Sequence, residues 1–134
     1  MKRFVLDTSV VVKWFSEEKD SDKARKLLKS LEEKKIEIIL PALVKYELAN
    51  AFLKGKQLSY PEAKIALETF YNLPLLFVEE TFDLAKDSYQ LGKKMNLCYY
   101  DACFLALAKS QKATLVTANP KHQKGIKGIK IVPL

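Results

Sequence analysis

The sequence predicts an α/β fold: a three-layer α/β/α sandwich around a central, mostly parallel sheet of four to five strands. Short runs rich in β-branched residues alternate with longer segments of helical spacing along all 134 residues. Strands that alternate with helices are joined by crossovers, which produce parallel sheets. No linker, low-complexity tract or repeat divides the chain, so residues 1–134 form one domain.

Five apolar runs are the strand candidates. The run at residues 3–6 is too short for a buried helix and is followed at once by an acid. Pro41 ends the second run and suits the first turn of the next helix. The remaining strand candidates are residues 36–40, 75–78, 113–117 and 129–132.

Apolar residues at helical spacing predict the helices between these strands. Ser59 and Glu62 form a capping-box pattern, and Thr81 caps a later helix. The segment 99–110 is apolar nearly all round, which is typical of a buried central helix. The other predicted helices are residues 10–15, 22–34, 41–56 and 60–71.

Composition indicates a soluble globular protein, with 49% apolar and 29% charged residues. No apolar run is long enough to span a membrane, and no secretory signal pattern is present. Cys98 and Cys103 lack the spacing of a metal or redox pair, and their neighbours are apolar or aromatic. We therefore expect buried free thiols, a cytoplasmic location and no membrane association.

The net charge of +7 is concentrated late in the chain. Residues 1–101 hold all 16 acids and 17 of the 23 basic residues, whereas residues 102–134 hold 6 lysines and His122. A lysine-rich surface can hold a polyanion through its phosphates. Charge alone is equally satisfied by a solvated surface, which is the simpler interpretation.

Three acids occupy positions that make them candidates for a functional site. Asp7 follows the first strand, and ligands of parallel sheets bind beyond the carboxyl ends of strands. Glu47 shares a polar stripe of its predicted helix with Asn50. Asp101 is the only charge between residues 95 and 108, where a charge without a role is expensive. Helix capping by Asp7 or Asp101, and an ordinary polar face for Glu47, are the alternatives.

The turn Thr117-Ala118-Asn119-Pro120 follows the fourth strand and belongs at the same edge of the sheet, although Asn and Pro also favour simple turns. Carboxylates that converge without His or Cys suit hard divalent cations such as Mg²⁺ or Mn²⁺. Such an ion activates water and stabilises charge on a phosphodiester.

These segments resemble the PIN-domain nucleases, and in particular the short VapC-type toxins, over essentially the whole chain. FVLDTS at residues 4–9 resembles the opening strand with the first acid of the family. YELANA at 46–51 and YDACFLALA at 100–108 resemble the helices that carry the second and third acids. LVTAN at 115–119 resembles the strand and turn that usually carry a fourth acid.

The resemblance implies a metal-dependent endoribonuclease in which Asp7, Glu47 and Asp101 hold Mg²⁺ or Mn²⁺, directly or through water. A metal-bound water would attack RNA and leave a 5′-phosphate and a 3′-hydroxyl. Ser9 and Thr117 would fix ligands or waters by hydrogen bonds. The resemblance also implies a homodimer and a cognate antitoxin that inserts into the active-site groove.

One position departs from the family pattern, because Asn119 stands where relatives often have Asp. Its carbonyl oxygen can still bind a metal, but the formal charge of the predicted site is −3 rather than −4. We predict one firmly held metal and a weaker second one that depends on substrate.

Other functional classes fit less well. A receiver domain needs an acceptor acid at the end of a central strand, a dehalogenase-like phosphatase needs an acid where Ser9 stands, and the only histidine, His122, lies in a lysine-rich loop. A non-catalytic PIN-like module that binds RNA or protein stays open because of Asn119.

Overall fold

A computed structural model of the protein describes residues 1–119 and 125–134. Within these residues, five strands form one sheet of order β3-β2-β1-β4-β5, and every neighbouring pair of strands is parallel. The strands are β1 Lys2–Leu6, β2 Ile36–Pro41, β3 Leu76–Val78, β4 Thr114–Thr117 and β5 Ile131–Pro133. The predicted fold class is confirmed.

Helices cover both faces of the sheet. The chain moves outward from β1 through β2 to β3 and then returns to β4 on the other side of β1. Because parallel crossovers are right-handed, this reversal places the last two helices on the face opposite the first four. The helices are α1 Thr8–Val12, α2 Ser21–Glu32, α3 Leu43–Asn50, α4 Tyr60–Tyr71, α5 Phe82–Met95 and α6 Tyr99–Gln111. A 3₁₀ turn, Lys13–Phe15, extends α1, and a π-helical turn, Ala51–Gly55, extends α3.

Predicted caps start two of the helices. The Ser59 hydroxyl accepts the Glu62 N–H at 3.3 Å, while the Glu62 carboxylate accepts the Ser59 N–H at 2.9 Å. Thr81 likewise accepts the Leu84 N–H at 3.2 Å. Pro41, in contrast, is the last residue of β2 and does not open the next helix, because α3 begins only at Leu43. The next N–H, that of Ala42, still donates to the Val78 carbonyl of β3 at 3.0 Å. Pro41 is tolerated because the pairing of β2 with β1 ends at Ile39, so no donor toward β1 is needed at position 41.

The core lies between the sheet and the helices. The central strands are apolar on both faces, as expected for a parallel sheet, and α6 packs against β1 and β2. The prediction of a buried α6 is confirmed by residues Ala102, Phe104, Leu105, Ala106, Leu107 and Ala108, all of which are buried.

The two cysteines are free, but the expectation that both are buried is wrong. Cys103 is partly buried, whereas Cys98 is exposed. Cys98 precedes α6, and its sulfur accepts the Asp101 N–H at 3.5 Å, so this residue caps a helix end instead of packing in the core.

The described helices were compared with the length and apolar character of a membrane span, and the residues after Asn119 with the described ranges. Across residues 1–119 and 125–134, no helix combines the length and the apolar character needed to cross a membrane. Pro120, His122 and the lysines at positions 121 and 124 lie outside the described residues.

Candidate active site at the carboxyl edge of the sheet

The order in which the chain adds strands reverses between β1 and β4, and the candidate residues surround that point. Asp7 directly follows β1, and its N–H donates to the Val116 carbonyl at 3.2 Å. Thr117 ends the neighbouring strand β4. Crevices beyond such a reversal are the usual ligand sites of open α/β sheets. The strand order therefore places Asp7 and Thr117 side by side at a binding position.

Asp7 caps α1 with its backbone and keeps its carboxylate for other contacts. Its carbonyl accepts the N–H groups of Val10 at 3.1 Å and Val11 at 3.4 Å, but its side chain makes no capping bond. The carboxylate, in a residue only 7% exposed, instead accepts the hydroxyls of Ser9 and Thr117. A capping role alone does not account for this side chain.

The turn after β4 is tied to the same carboxylate. The fully buried Thr117 hydroxyl donates to Asp7 and accepts the Asn119 N–H at 3.0 Å. The Ser9 hydroxyl, which also donates to Asp7, accepts the Ala118 N–H at 3.4 Å. Two hydroxyls thus fix the orientation of one carboxylate and the position of the turn.

Glu47 reaches this edge from α3, whose opposite side is buried. Its carboxylate accepts the Thr8 hydroxyl at 2.6 Å. Burial raises the pKa of Glu47 above its usual value, and the charges of Asp101 and Asp7 raise it further, while the bond from Thr8 opposes the shift. Asp7 and Asp101 therefore both lie within electrostatic range of Glu47, and we call Asp7, Glu47 and Asp101 the acid cluster.

Asp101 is presented by the first turn of α6, on the other face of the sheet from α3. It lines a cavity of about 440 Å³ together with Asp7, and the remaining walls, from the α5–α6 connection, α6 and β4, are largely apolar. Asn119 is partly buried and lines a separate groove with Ser9. Every predicted site residue thus lies at the carboxyl edge.

The oxygen donors of the acid cluster suit a hard divalent cation. In the described part of the chain, no three His, Cys, Asp or Glu side chains are close enough to enclose an ion by themselves. Mg²⁺ does not require such a cage, because it keeps several waters and usually takes only one or two carboxylates. Asp7 and Asp101 on a shared cavity match that requirement.

Comparison with known proteins defines the family. The sequence model of one family, described as the PIN domain, matches residues 4–127. The chain belongs to the PIN domain family. None of the curated proteins compared with this PIN domain matches it.

Solved structures share this PIN fold over nearly their full length. VapBC2 from Rickettsia felis, bound to a promoter DNA fragment, is 20% identical, with a TM-score of 0.76 and 98% of each chain covered. A toxin–antitoxin complex from Klebsiella pneumoniae is 24% identical, with a TM-score of 0.67 and coverage of 96% of this chain and 94% of that one. VapC20 from Mycobacterium tuberculosis, a sarcin–ricin loop cleaving toxin, is 12% identical, with a TM-score of 0.70 and coverage of 95% and 98%.

Sequence reasoning did not single out Thr8, Lys13 or Glu18. Thr8 follows Asp7 directly, yet its hydroxyl serves Glu47, 39 positions away. The adjacent hydroxyls in DTS were the available signal, but nothing local assigns each hydroxyl to a particular acid. Lys13 and Glu18 line the groove that starts at Ser9 and Asn119.

Glu47→Gln is expected to stabilise the metal-free protein at neutral pH. A raised pKa means that folded Glu47 binds protons more tightly than the unfolded chain does, so its contribution to stability falls as pH rises above the usual value of 4.5. Gln removes this penalty and still accepts the Thr8 hydroxyl. Thermal unfolding in EDTA should show a higher Tm than the parent at pH 7 and no gain at pH 4.

The matched control is Glu68→Gln on an exposed face of α4, which should leave the Tm unchanged. A Glu47→Gln variant that melts at or below the parent temperature at pH 7 would contradict the raised pKa of Glu47.

Proposed function

We propose that this PIN domain protein is a metal-dependent endoribonuclease that hydrolyses RNA phosphodiester bonds. The observation that carries the proposal is the acid cluster: Asp7, Glu47 and Asp101 come from three separate elements and interact at the point where the sheet reverses. Clustered carboxylates are costly unless they bind a cation. Family membership supports a nuclease.

Asp7, Glu47 and Asp101 would hold Mg²⁺ or Mn²⁺, directly or through water, with the Asn119 side-chain oxygen as an uncharged further donor. When bound, the ion supplies Lewis acidity and neutralises charge on the phosphate. Ser9 and Thr117 hold the Asp7 carboxylate in one orientation. Three acids without a cation would repel RNA, so the proposed activity depends on the metal.

The test is cleavage of labelled single-stranded RNA by the purified protein in Mg²⁺, in Mn²⁺ and in EDTA. Products with a 5′-phosphate and a 3′-hydroxyl are expected with either ion and none in the chelator. Cleavage that persists in EDTA would contradict the proposal. A DNA oligonucleotide of the same sequence tests whether the activity is confined to RNA.

We also propose that the protein is the toxin of a toxin–antitoxin pair. The structure from Klebsiella pneumoniae is a toxin–antitoxin complex, that from Rickettsia felis is VapBC2, and the Mycobacterium tuberculosis protein is a sarcin–ricin loop cleaving toxin. A homodimer and a cytoplasmic location remain predictions from the resemblance and the composition. Co-expression with the product of a neighbouring small reading frame should yield a stable complex and suppress cleavage.

The predicted homodimer has its own test, because light scattering should give the mass of two chains.

A non-catalytic PIN-like module is the second candidate, and Asn119 is the observation that favours it. The loss of one acid lowers the charge available for a cation, while RNA or protein binding needs no metal. RNA binding without cleavage in Mg²⁺ or Mn²⁺ would favour this candidate over the nuclease.

Asn119→Asp is expected to tighten Mn²⁺ binding. A fourth carboxylate adds attraction to the cation, and we expect roughly a tenfold lower Kd, which corresponds to about 1.4 kcal/mol. Calorimetric titration without RNA should find one tight site in the parent. The control Asn72→Asp, at the exposed end of α4, should not change the affinity.

Two tight sites in the parent would contradict the expected effect of an uncharged Asn119. An unchanged Kd in Asn119→Asp would place this side chain outside the metal site.

A further inference from the structure

A groove leads away from the acid cluster toward positive charge. It has a volume of about 390 Å³ and extends from Ser9 and Asn119, beside the Asp7 carboxylate, to Lys13 and Glu18. A single RNA strand whose scissile phosphate lies at the acid cluster must continue in some direction, and this groove is a path that starts at the site.

Lys13 is a buried cation that the proposed hydrolysis does not use. The residue is only 8% exposed, and its Nζ donates to Glu18 Oε1 at 3.0 Å and to the Lys19 carbonyl at 2.7 Å. It lies four positions after Ser9, so both side chains belong to the same side of α1 and its 3₁₀ extension. An ammonium has three protons, and the two observed bonds use only two of them.

Glu18 joins a second lysine to the first. Lys56 Nζ lies 2.5 Å from Glu18 Oε2, the oxygen that also accepts the Ser16 hydroxyl at 2.5 Å. The bonds from Lys56 and Ser16, followed by Lys13, lower the pKa of Glu18 to about 2, so this carboxylate is ionised at neutral pH. Two ammonium groups on one carboxylate leave one positive charge in excess. Lys13 and Glu18 line this end of the groove, and Lys56 adjoins it through its ion pair with Glu18.

We propose that Lys13 and Lys56 form a subsite for a backbone phosphate of RNA next to the scissile phosphate. The inference rests on the proposed nuclease function and adds to it the residues that position the strand. The acid cluster repels a polyanion. A lysine pair at the other end of the groove offsets this repulsion at the neighbouring phosphate. Contacts with phosphate are independent of sequence, so the subsite would fix the register of RNA and not the choice of base.

The competing interpretation is that Lys13, Glu18 and Lys56 only stabilise the packing of residues 16–20 against α1. The two interpretations differ in the role of Glu18. If the cluster is only structural, Glu18 acts together with the lysines. Loss of Glu18 should then weaken RNA binding and lower the Tm in the same direction as loss of either lysine. In a phosphate subsite, Glu18 competes with phosphate for the same ammonium groups, so removing its charge should strengthen RNA binding.

The test measures the Kd of a labelled single-stranded RNA by fluorescence anisotropy in EDTA, at several salt concentrations, beside the Tm of each variant. Every protein in the series, including the reference, carries Asp7→Asn and Asp101→Asn, which reduce the repulsion of RNA by the metal-free acid cluster. Lys13→Met and Lys56→Met should each raise the Kd about 3- to 10-fold and lower the slope of log Kd against log salt by about 0.7, the value for one phosphate contact on a single strand. Glu18→Gln should lower the Kd even though it loses ion pairs.

The matched control is Lys35→Met, which removes the same charge just before β2, at the opposite edge of the sheet. Its Kd and salt slope should equal those of the reference. Lys13→Arg keeps the charge and should restore the slope. If Lys13→Met fails to fold, two variants still test the subsite. Lys56→Met, at an exposed position, should raise the Kd, and Glu18→Gln should lower it.

The subsite is refuted if Lys13→Met and Lys56→Met behave like Lys35→Met, or if Glu18→Gln weakens RNA binding as the lysine variants do. A parent protein that cleaves RNA while these variants bind normally would overturn only the subsite. A parent that neither binds nor cleaves RNA would overturn the nuclease proposal as well.

Discussion

Asp7→Asn should lower kcat/KM for RNA cleavage by about 10²–10³-fold and leave the fold intact. Charge stabilisation by a bound cation is worth several kcal/mol, and each 1.36 kcal/mol changes the rate tenfold. Asn keeps the size of the side chain but removes the charge that attracts the cation. It offers one carbonyl acceptor, so one of the two hydroxyls loses its partner and the Tm should fall without loss of the fold. The measurement is cleavage of labelled RNA in Mg²⁺ together with the Tm.

Asp22→Asn is the matched control, because its side chain is 95% exposed on α2 and lies on neither the cavity nor the groove of the site. Asp101→Asn should lose a similar amount, and the double variant should lose little more than either one, since groups that act on one ion are not additive. Full activity in Asp7→Asn and Asp101→Asn would remove both residues from the active site.

Local sequence was sufficient to predict the positions of the acids along the fold. Asp7 and Thr117 each follow or end a short apolar strand, and parallel strands present such residues at one edge whatever the order of the strands. The capping box at Ser59 was likewise predictable, because both partners lie within one turn of helix. Features set by neighbours in the chain were therefore accessible without the structure.

Contacts between distant segments were not accessible. The bond from Thr8 to Glu47 spans 39 positions, and the ion pair between Glu18 and Lys56 spans 38. Both depend on how α3 and its π-helical turn pack against α1, which the periodicity of either segment does not determine. Glu18 is at the centre of a charge cluster, but nothing in its neighbouring residues indicates Lys56 as a partner.

The backbone and the side chain of Asp7 have separate roles, and this separation explains why the capping hypothesis was difficult to exclude from the sequence. Any residue with an extended backbone at this position could supply the carbonyl that accepts the first N–H groups of α1. Only a carboxylate, however, satisfies the Ser9 and Thr117 hydroxyls together. A substitution of Thr117 tests this arrangement from the other partner.

Thr117→Val should lower RNA cleavage by about 10- to 100-fold, the usual cost of losing a group that orients a metal ligand. Val has nearly the same shape, so it fills the fully buried position, but it removes the donor to Asp7 and the acceptor of the Asn119 N–H. A buried group left without its partner costs about 1–3 kcal/mol, so the free energy of unfolding should also fall. Cleavage, Mn²⁺ affinity and thermal unfolding measure the three effects.

Thr117→Ser distinguishes orientation from packing. Ser keeps the hydroxyl and loses a buried methyl group, so it should retain cleavage and Mn²⁺ affinity while it lowers the Tm. If Ser and Val impair cleavage equally, Thr117 acts through the packing of β4. If Val leaves both cleavage and Mn²⁺ affinity unchanged, the Asp7 carboxylate is oriented without Thr117.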